Sequence, residues 1–434
     1  MCGAQRPQPI LAGGNVLASD TLVRGSSRIL KVLLLTILFG SADSILVGTN
    51  RSGLAALAQK AIPLLLASLL SVRIALMGKR IPKSSVWAIA LMTCMMVNLS
   101  IFASKNSFPN YLLQMLIILF GVLFCINYSF DEFSEAFVDT LIFLAAWSLA
   151  VSVLAYTVPS IVAKFPTVSN INNIKYYVVG FSAVSELGLK SLFGLRNAGL
   201  FREPGVYQFF LNLALLFHLF HSERTSFWKF AVLSAAILTT TSTTGIIALA
   251  LAYLAYLLGK KGGKKNRRLV FPILLVVCAI VLVLFLGKSQ LLSYAVNKLG
   301  DETNPSTIAR VGSIKANIDI WQEHPLFGAG SDVVNRQFSE RVFAAMNTRA
   351  GDNTNTVLFF FAAYGLFFGL IFLAGLWLLT ARITRDALIR LLVFAEMIVL
   401  LSGQNLWFSF VPYILFMYGY HYIPSRLQER VALA

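Results

Sequence analysis

The stretch Leu195–Tyr207, LRNAGLFREPGVY, stands just before a long apolar run and gathers Arg196, Arg202 and Glu203. Charge at the mouth of a membrane segment is costly to keep without a use. The arginine fork is suited to a diphosphate, because its planar head donates paired bonds to phosphate oxygens. A carboxylate beside it could take a proton. Gly199 and Gly205 let backbone approach a ligand, and Pro204 suits the first turn of a helix. The bland reading is an interfacial charge pair, Arg202–Glu203, capping a span. A second basic stretch, Thr307–Gly330, carries Arg310, Lys315 and Asn317, with Arg336 further along the same loop. Ile308, Val311, Ile314, Ile318 and Trp321 recur at helical spacing, so 306–321 is predicted as a helix along the membrane surface, with Arg310, Ser313 and Asn317 on its other face. His324, Pro325, Gly328 and Gly330 then form a structural stop.

Two further polar stretches flank predicted spans. Thr239–Gly245, with Thr244, offers hydroxyls to a sugar or, more simply, to the helix ends it joins. Asp352–Asn355 opens a span, where Asn355 is either an N-cap or a ligand group. Asp43 and Glu396 lie within spans and are expected to pair with other polar groups. Asn172–Lys190, polar and aromatic, is expected along the interface. No histidine or cysteine pattern for a metal, no phosphate-cradling glycine loop, no nucleophile elbow and no Asp-x-Asp pair occurs, so neither metal nor cofactor is expected.

The elements that must position these groups are membrane helices. The chain has 434 residues, 57% hydrophobic and only 13% charged, against roughly 25% charged in soluble proteins. Apolar runs near the roughly 20 residues that cross a bilayer follow one another. The expectation is an all-α, polytopic membrane protein, one transmembrane domain over 1–434. Its spans are placed at 29–48, 54–77, 84–104, 109–127, 135–157, 205–221, 227–241, 243–259, 269–287, 353–379, 387–405 and 408–423. The net charge of +17 reads as basic loops on one side of a bilayer, not as nucleic-acid binding. Lys79, Arg80, Lys229, Lys260, Arg268, Arg382 and Arg390 all fall on the side of the N-terminus, so both termini are expected in the cytoplasm. The polar N-terminal residues lack a signal-peptide core, so the first span is expected to direct insertion. The opposite side then holds two large loops, 159–204 and 288–352. Both are basic, which the positive-inside rule does not ask for, and an anionic ligand is the simplest cause. An indifferent solvated surface is the alternative. Four scattered cysteines suggest no disulfide framework.

Taken together, Arg196-x-x-Gly199-Leu-Phe-x-Glu203-Pro204, the hydroxyl turn before Gly245, Arg310 with Trp321, Pro325, Gly328 and Gly330, and Asn355 before Gly365 resemble the O-antigen polymerase and ligase superfamily of bacterial envelopes. Ligases of that superfamily carry histidine where this chain has Thr354, and often arginine where it has Thr244; both departures point toward polymerases. The resemblance implies an inner-membrane glycosyltransferase, without cofactor, that joins undecaprenyl-diphosphate-linked oligosaccharide units at the periplasmic face. It implies Arg196, Arg310 and Glu203 as the catalytic set. Arg202, Lys315, Asn317, Asn355, Thr244 and Arg336 would hold diphosphate or sugar. A partner protein could set chain length. The rivals are a ligase delivering glycan to lipid A core or protein, and a polysaccharide-lipid flippase, whose mark would be several ionisable groups in mid-span.

Overall fold

Long apolar helices dominate, and their ends carry the signals that start and stop them. In the computed structural model the described residues are 28–48, 53–102, 108–169, 174–186, 196–222, 225–259, 305–346 and 353–421. The helices are α1 (28–40), α2 (Gly53–Leu76), α3 (Val86–Phe102), α4 (Phe108–Asn127), α5 (Phe130–Thr157), α6 (Pro204–Phe220), α7 (Phe227–Thr239), α8 (Thr243–Leu258), α9 (Pro305–Glu323), α10 (Ser331–Met346), α11 (Thr356–Ile383), α12 (Ala387–Ser402) and α13 (Phe410–Tyr420). Five helices among the described residues are long and apolar enough to cross a membrane, and α6, α7, α8 and α13 are shorter apolar helices. The expected span 269–287 lies outside the described residues, as do 288–304 and 347–352 of the second loop.

Helix α5 begins ahead of the expected boundary because Ser129 and Glu132 make a reciprocal capping box, each bonding the other's backbone N–H. The first expected span breaks at 41–44. There the hydroxyls of Ser41 and Ser44 accept from the Asp43 and Val47 amides, turning the chain out of helix. Leucines and isoleucines such as Leu64, Leu69, Ile89, Leu112 and Leu370 face outward. That is where a bilayer, as an apolar solvent, would accept them.

The purely helical expectation needs one correction. The first large loop folds into a four-stranded antiparallel sheet in the order β1–β2–β3–β4: Thr167–Ser169, Lys175–Val179, Ser182–Ser185 and Asn197–Gly199. The segment expected along the interface, as far as it is described, is the β2–β3 hairpin. Strand alternation explains it: Tyr177, Val179 and Val184 pack on Val151, Ala155 and Val162, while Tyr176, Ala183 and Ala198 face Ile45. Strands this short leave too little alternation for sequence reading to catch.

The helices pack so that their ends sort into two groups. At one end sit Arg73 on Tyr128, Lys79 on the carbonyls of Ile126 and Asn127, and the shared pair of Lys31 and Lys229 on Asp139, each 2.7 Å. Arg382 lies over the rings of Phe130 and Tyr418 there. At the other end sit the sheet, the α9–α10 pair and the α7–α8 and α12–α13 turns. Glu396 of α12 is fully buried with neither carboxylate oxygen hydrogen-bonded among the described residues, contrary to the expectation that it pairs.

Candidate active site

The segment 196–207 is locked by its own uncharged residues. Asn197 donates to the hydroxyls of Ser148 and Thr239, 3.0 Å each, and its carbonyl oxygen accepts from the Gly199 amide at 2.9 Å. Ser148 in turn bonds the Tyr207 hydroxyl at 2.9 Å. Gly199 has φ +53°, and a Cβ there would stand 2.6 Å from the Tyr207 ring, so only glycine fits. Phe201 stacks on Tyr207 and Phe210 with centroids 5.3 and 4.4 Å away. Outside this lock the main chain zips to the broken first span: the Ile45 amide donates to Leu200 and the Arg202 amide to Asp43, 2.9 Å each. The result is a fixed frame from which Arg196, Arg202 and Glu203 project. Glu203 is the N-cap residue of α6, where the positive end of the helix dipole favours a carboxylate. Its side chain does not cap the helix.

Arg202 donates through Nη2 to the Asn405 carbonyl, and its charge acts on the buried Asp43. The turn 403–406 thereby becomes a junction. Gly403 abuts Thr244, Gln404 abuts Gly205, and the Thr356 hydroxyl both donates to the Gln404 carbonyl (2.6 Å) and accepts from the Leu406 amide (2.8 Å). Three of the polar stretches singled out by sequence thus meet the turn 403–406 at one end of the bundle.

The second large loop brings Arg310 to the same place. Helix α9 is clasped to the start of α11: Asn317 and Asn353 exchange side-chain amide bonds of 3.0 and 2.8 Å, and the Thr354 amide donates to Ser313 at 2.9 Å. The following loop seats in a break of α11. Gly365 has φ +84° inside that helix, and the amides of Ala329 and Gly330 donate to the carbonyls of Ala362 and Ala363 at 2.8 and 2.9 Å. The Leu366 amide returns a bond to Pro325 at 2.9 Å, and Asn98 donates to the Phe327 and Gly328 carbonyls. Trp321 bonds the Pro325 carbonyl at 3.0 Å, closing the turn. The glycines and proline of the motif are therefore mating parts of one joint.

Burial first, and the neighbouring Arg196 charge second, disfavour the charged form of Arg310 and hold its affinity for a proton below the ordinary arginine value. Two guanidiniums from separate loops thus lie within electrostatic reach of each other, one of them largely buried. Tyr176, fully buried on β2, feels both Arg196 and Glu203, and burial raises its affinity for its proton. The Nε atoms of Arg196 and Arg202 and the Tyr176 hydroxyl are buried with no hydrogen-bond partner among the described residues.

Of the residues expected at the site, Arg196 is within electrostatic reach of Arg310, Arg196 and Glu203 both act on Tyr176, and Arg202, the chain neighbour of Glu203, reaches the 403–406 turn against which Thr244 packs. Asn317 is held by Asn353, and Asn355 caps α11 by accepting from the Leu358 amide at 2.9 Å. Lys315 and Arg336 are solvent-exposed on α9 and α10. Tyr176, Asp43, Ser409 and the Asn405 carbonyl lie around these groups and were not assigned to the site from sequence; Tyr176 in particular is one of two adjacent tyrosines, and only the strand register tells which of them turns toward Arg196. Among the described residues no group of three or more metal-ligating side chains occurs.

Fold and site together define a polytopic helical membrane protein with a clustered cationic, carboxylate-bearing site at one end of the bundle. Residues 228–374 match the family model of the O-antigen ligases, consistent with the O-antigen polymerase and ligase superfamily of glycosyl-transferring enzymes. The matched segment includes Thr244, Arg310, Lys315, Asn317, Arg336 and Asn355; Arg196, Arg202 and Glu203 lie ahead of it. No curated protein matches the chain.

Proposed function

We propose that the protein polymerises undecaprenyl-diphosphate-linked oligosaccharide repeat units into an O-antigen or capsular polysaccharide. The reaction would run in the inner membrane, with the site facing the periplasm and both termini in the cytoplasm. The observation that carries this reading is the approach of Arg310 to Arg196 from a different loop. Two like charges brought together where water is scarce repel, and an anion between them turns that repulsion into binding energy. A lipid-linked diphosphate is the anion that the family resemblance suggests.

In the proposed step a sugar hydroxyl of the incoming unit attacks the anomeric carbon at the diphosphate end of the growing chain. The new glycosidic bond forms as the bond from that carbon to the diphosphate oxygen breaks. The electron pair leaves with undecaprenyl diphosphate, and the hydroxyl proton passes to Glu203. Arg196, Arg202 and Arg310 neutralise the charge growing on the departing group. A single well-placed donor of this kind is worth roughly 3 kcal/mol.

The ligase reading has one observation in its favour, the description of the matching family. Against it stand Thr354 and Thr244 at positions where ligases carry histidine and often arginine. The decisive experiment supplies purified protein with lipid-linked repeat units alone. Longer lipid-linked chains support polymerisation. Transfer only when lipid A core or protein is added makes it a ligase, and translocation of labelled lipid without any transfer makes it a flippase.

A further inference from the structure

The sheet brings a third kind of donor to the cluster. In register, Tyr176 stands opposite Ser185, and the Ser185 amide donates to the Arg196 carbonyl at 3.3 Å. Tyr176, Ser185 and Arg196 therefore fall in one row, across β2, β3 and the residue just before β4. Residues directly opposite across antiparallel strands point to the same face, and strands lie about 4.8 Å apart. The opposite face is accounted for: Tyr177, Val184 and Asn197 all turn toward α5. Tyr176 thus projects to the side where Arg196 projects, away from α5. Its ring is held by Ala183, Ala198 and Ile45, and only 1% of the residue is accessible. Its hydroxyl has no hydrogen-bond partner among the described residues, and neither have the Nε atoms of Arg196 and Arg202. A buried hydroxyl without a partner is normally avoided, and here it shares that condition with the Nε of Arg196, whose charge acts on the same tyrosine.

We infer that the Tyr176 hydroxyl, in a row with Arg196, donates a hydrogen bond to a phosphate oxygen of the lipid-linked diphosphate. The inference rests on the reading of the cluster as a diphosphate site. It adds a neutral donor at a fixed height on a rigid sheet, where the flexible arginines alone would fix charge but not position. Removing such a donor to a charged acceptor weakens binding about tenfold or more.

The test uses the full-length protein in lipid nanodiscs and undecaprenyl diphosphate itself as the probe. Tyr176→Phe deletes the hydroxyl and keeps the ring in its apolar seat. The expected result is at least about tenfold weaker binding, with the thermal midpoint of the ligand-free protein unchanged. A second measurement keeps the hydroxyl: 3-fluorotyrosine at position 176 is expected to shift its fluorine resonance on addition of the lipid. If the wild-type protein fails to bind undecaprenyl diphosphate, the diphosphate reading of the cluster falls, and this inference with it. If the wild type binds but Tyr176→Phe binds equally well, or the resonance stays still, the inference alone is overturned.

Discussion

At the scale of single residues, the arginines divide what the site needs between charge and shape. Lysine would keep the charge and lose the fork. Arg196→Lys and Arg310→Lys are each expected to lower polymer formation by about 100-fold or more, with normal amounts of protein in the membrane; gel analysis of lipid-linked products checks it. Arg310 also bears a burden in the ligand-free protein, since burial and Arg196 both oppose its charge. Arg310→Gln removes that opposition, so it is expected to abolish transfer while raising the thermal midpoint without substrate. A lowered midpoint would show that Arg310 is held by favourable partners instead. Sequence reading identified these arginines because charge beside an apolar run is conspicuous. It could not see Tyr176, whose relation to Arg196 depends on the pairing of three strands.

At the scale of elements, the joint between the loop 325–330 and the break in α11 governs where the second loop sits. A Cβ on Gly328 would run into the Ala363 carbonyl carbon, and one on Gly365 into the Leu326 carbonyl oxygen, both at positive φ. Gly328→Ala and Gly365→Ala are each expected to destabilise the protein by more than about 1 kcal/mol and to reduce folded yield, read by size-exclusion profile. The clasp is a separate device. Asn353→Ala would strand the buried Asn317 amide, costing about 1–3 kcal/mol, and is expected to lower activity with Arg196 and Arg202 undisturbed. The sequence made α9 and its stop legible, through apolar spacing, proline and glycine. It did not disclose that Gly365 is the receiving half of that stop, because an isolated glycine in an apolar helix carries no mark of what enters beside it.

At the scale of the whole molecule, the abundance of long apolar helices was legible from composition and run length alone, while the sidedness read from charge is a prediction. The sheet was not legible: its strands are three to five residues long and lie within a polar, basic loop. Sidedness has a direct check. Single cysteines replacing exposed Lys315 or Arg336, in a chain without its native cysteines, are expected to react in intact cells with a maleimide that cannot cross the inner membrane. A cysteine replacing exposed Arg80 is expected to react only after lysis. The opposite pattern would invert the topology. The break at Gly365 has one more implication. It falls nine residues past the start of a 28-residue helix, about 14 Å along its axis, and Asn98 grips the inserted loop a full turn before α3 ends. The loop is thus sunk below the rim of the bundle, like the floor of a shallow well. If the proposed lipid-linked substrate is used, a floor at that depth would let its sugars react above the bundle while its isoprenoid tail stayed beside the apolar helix faces.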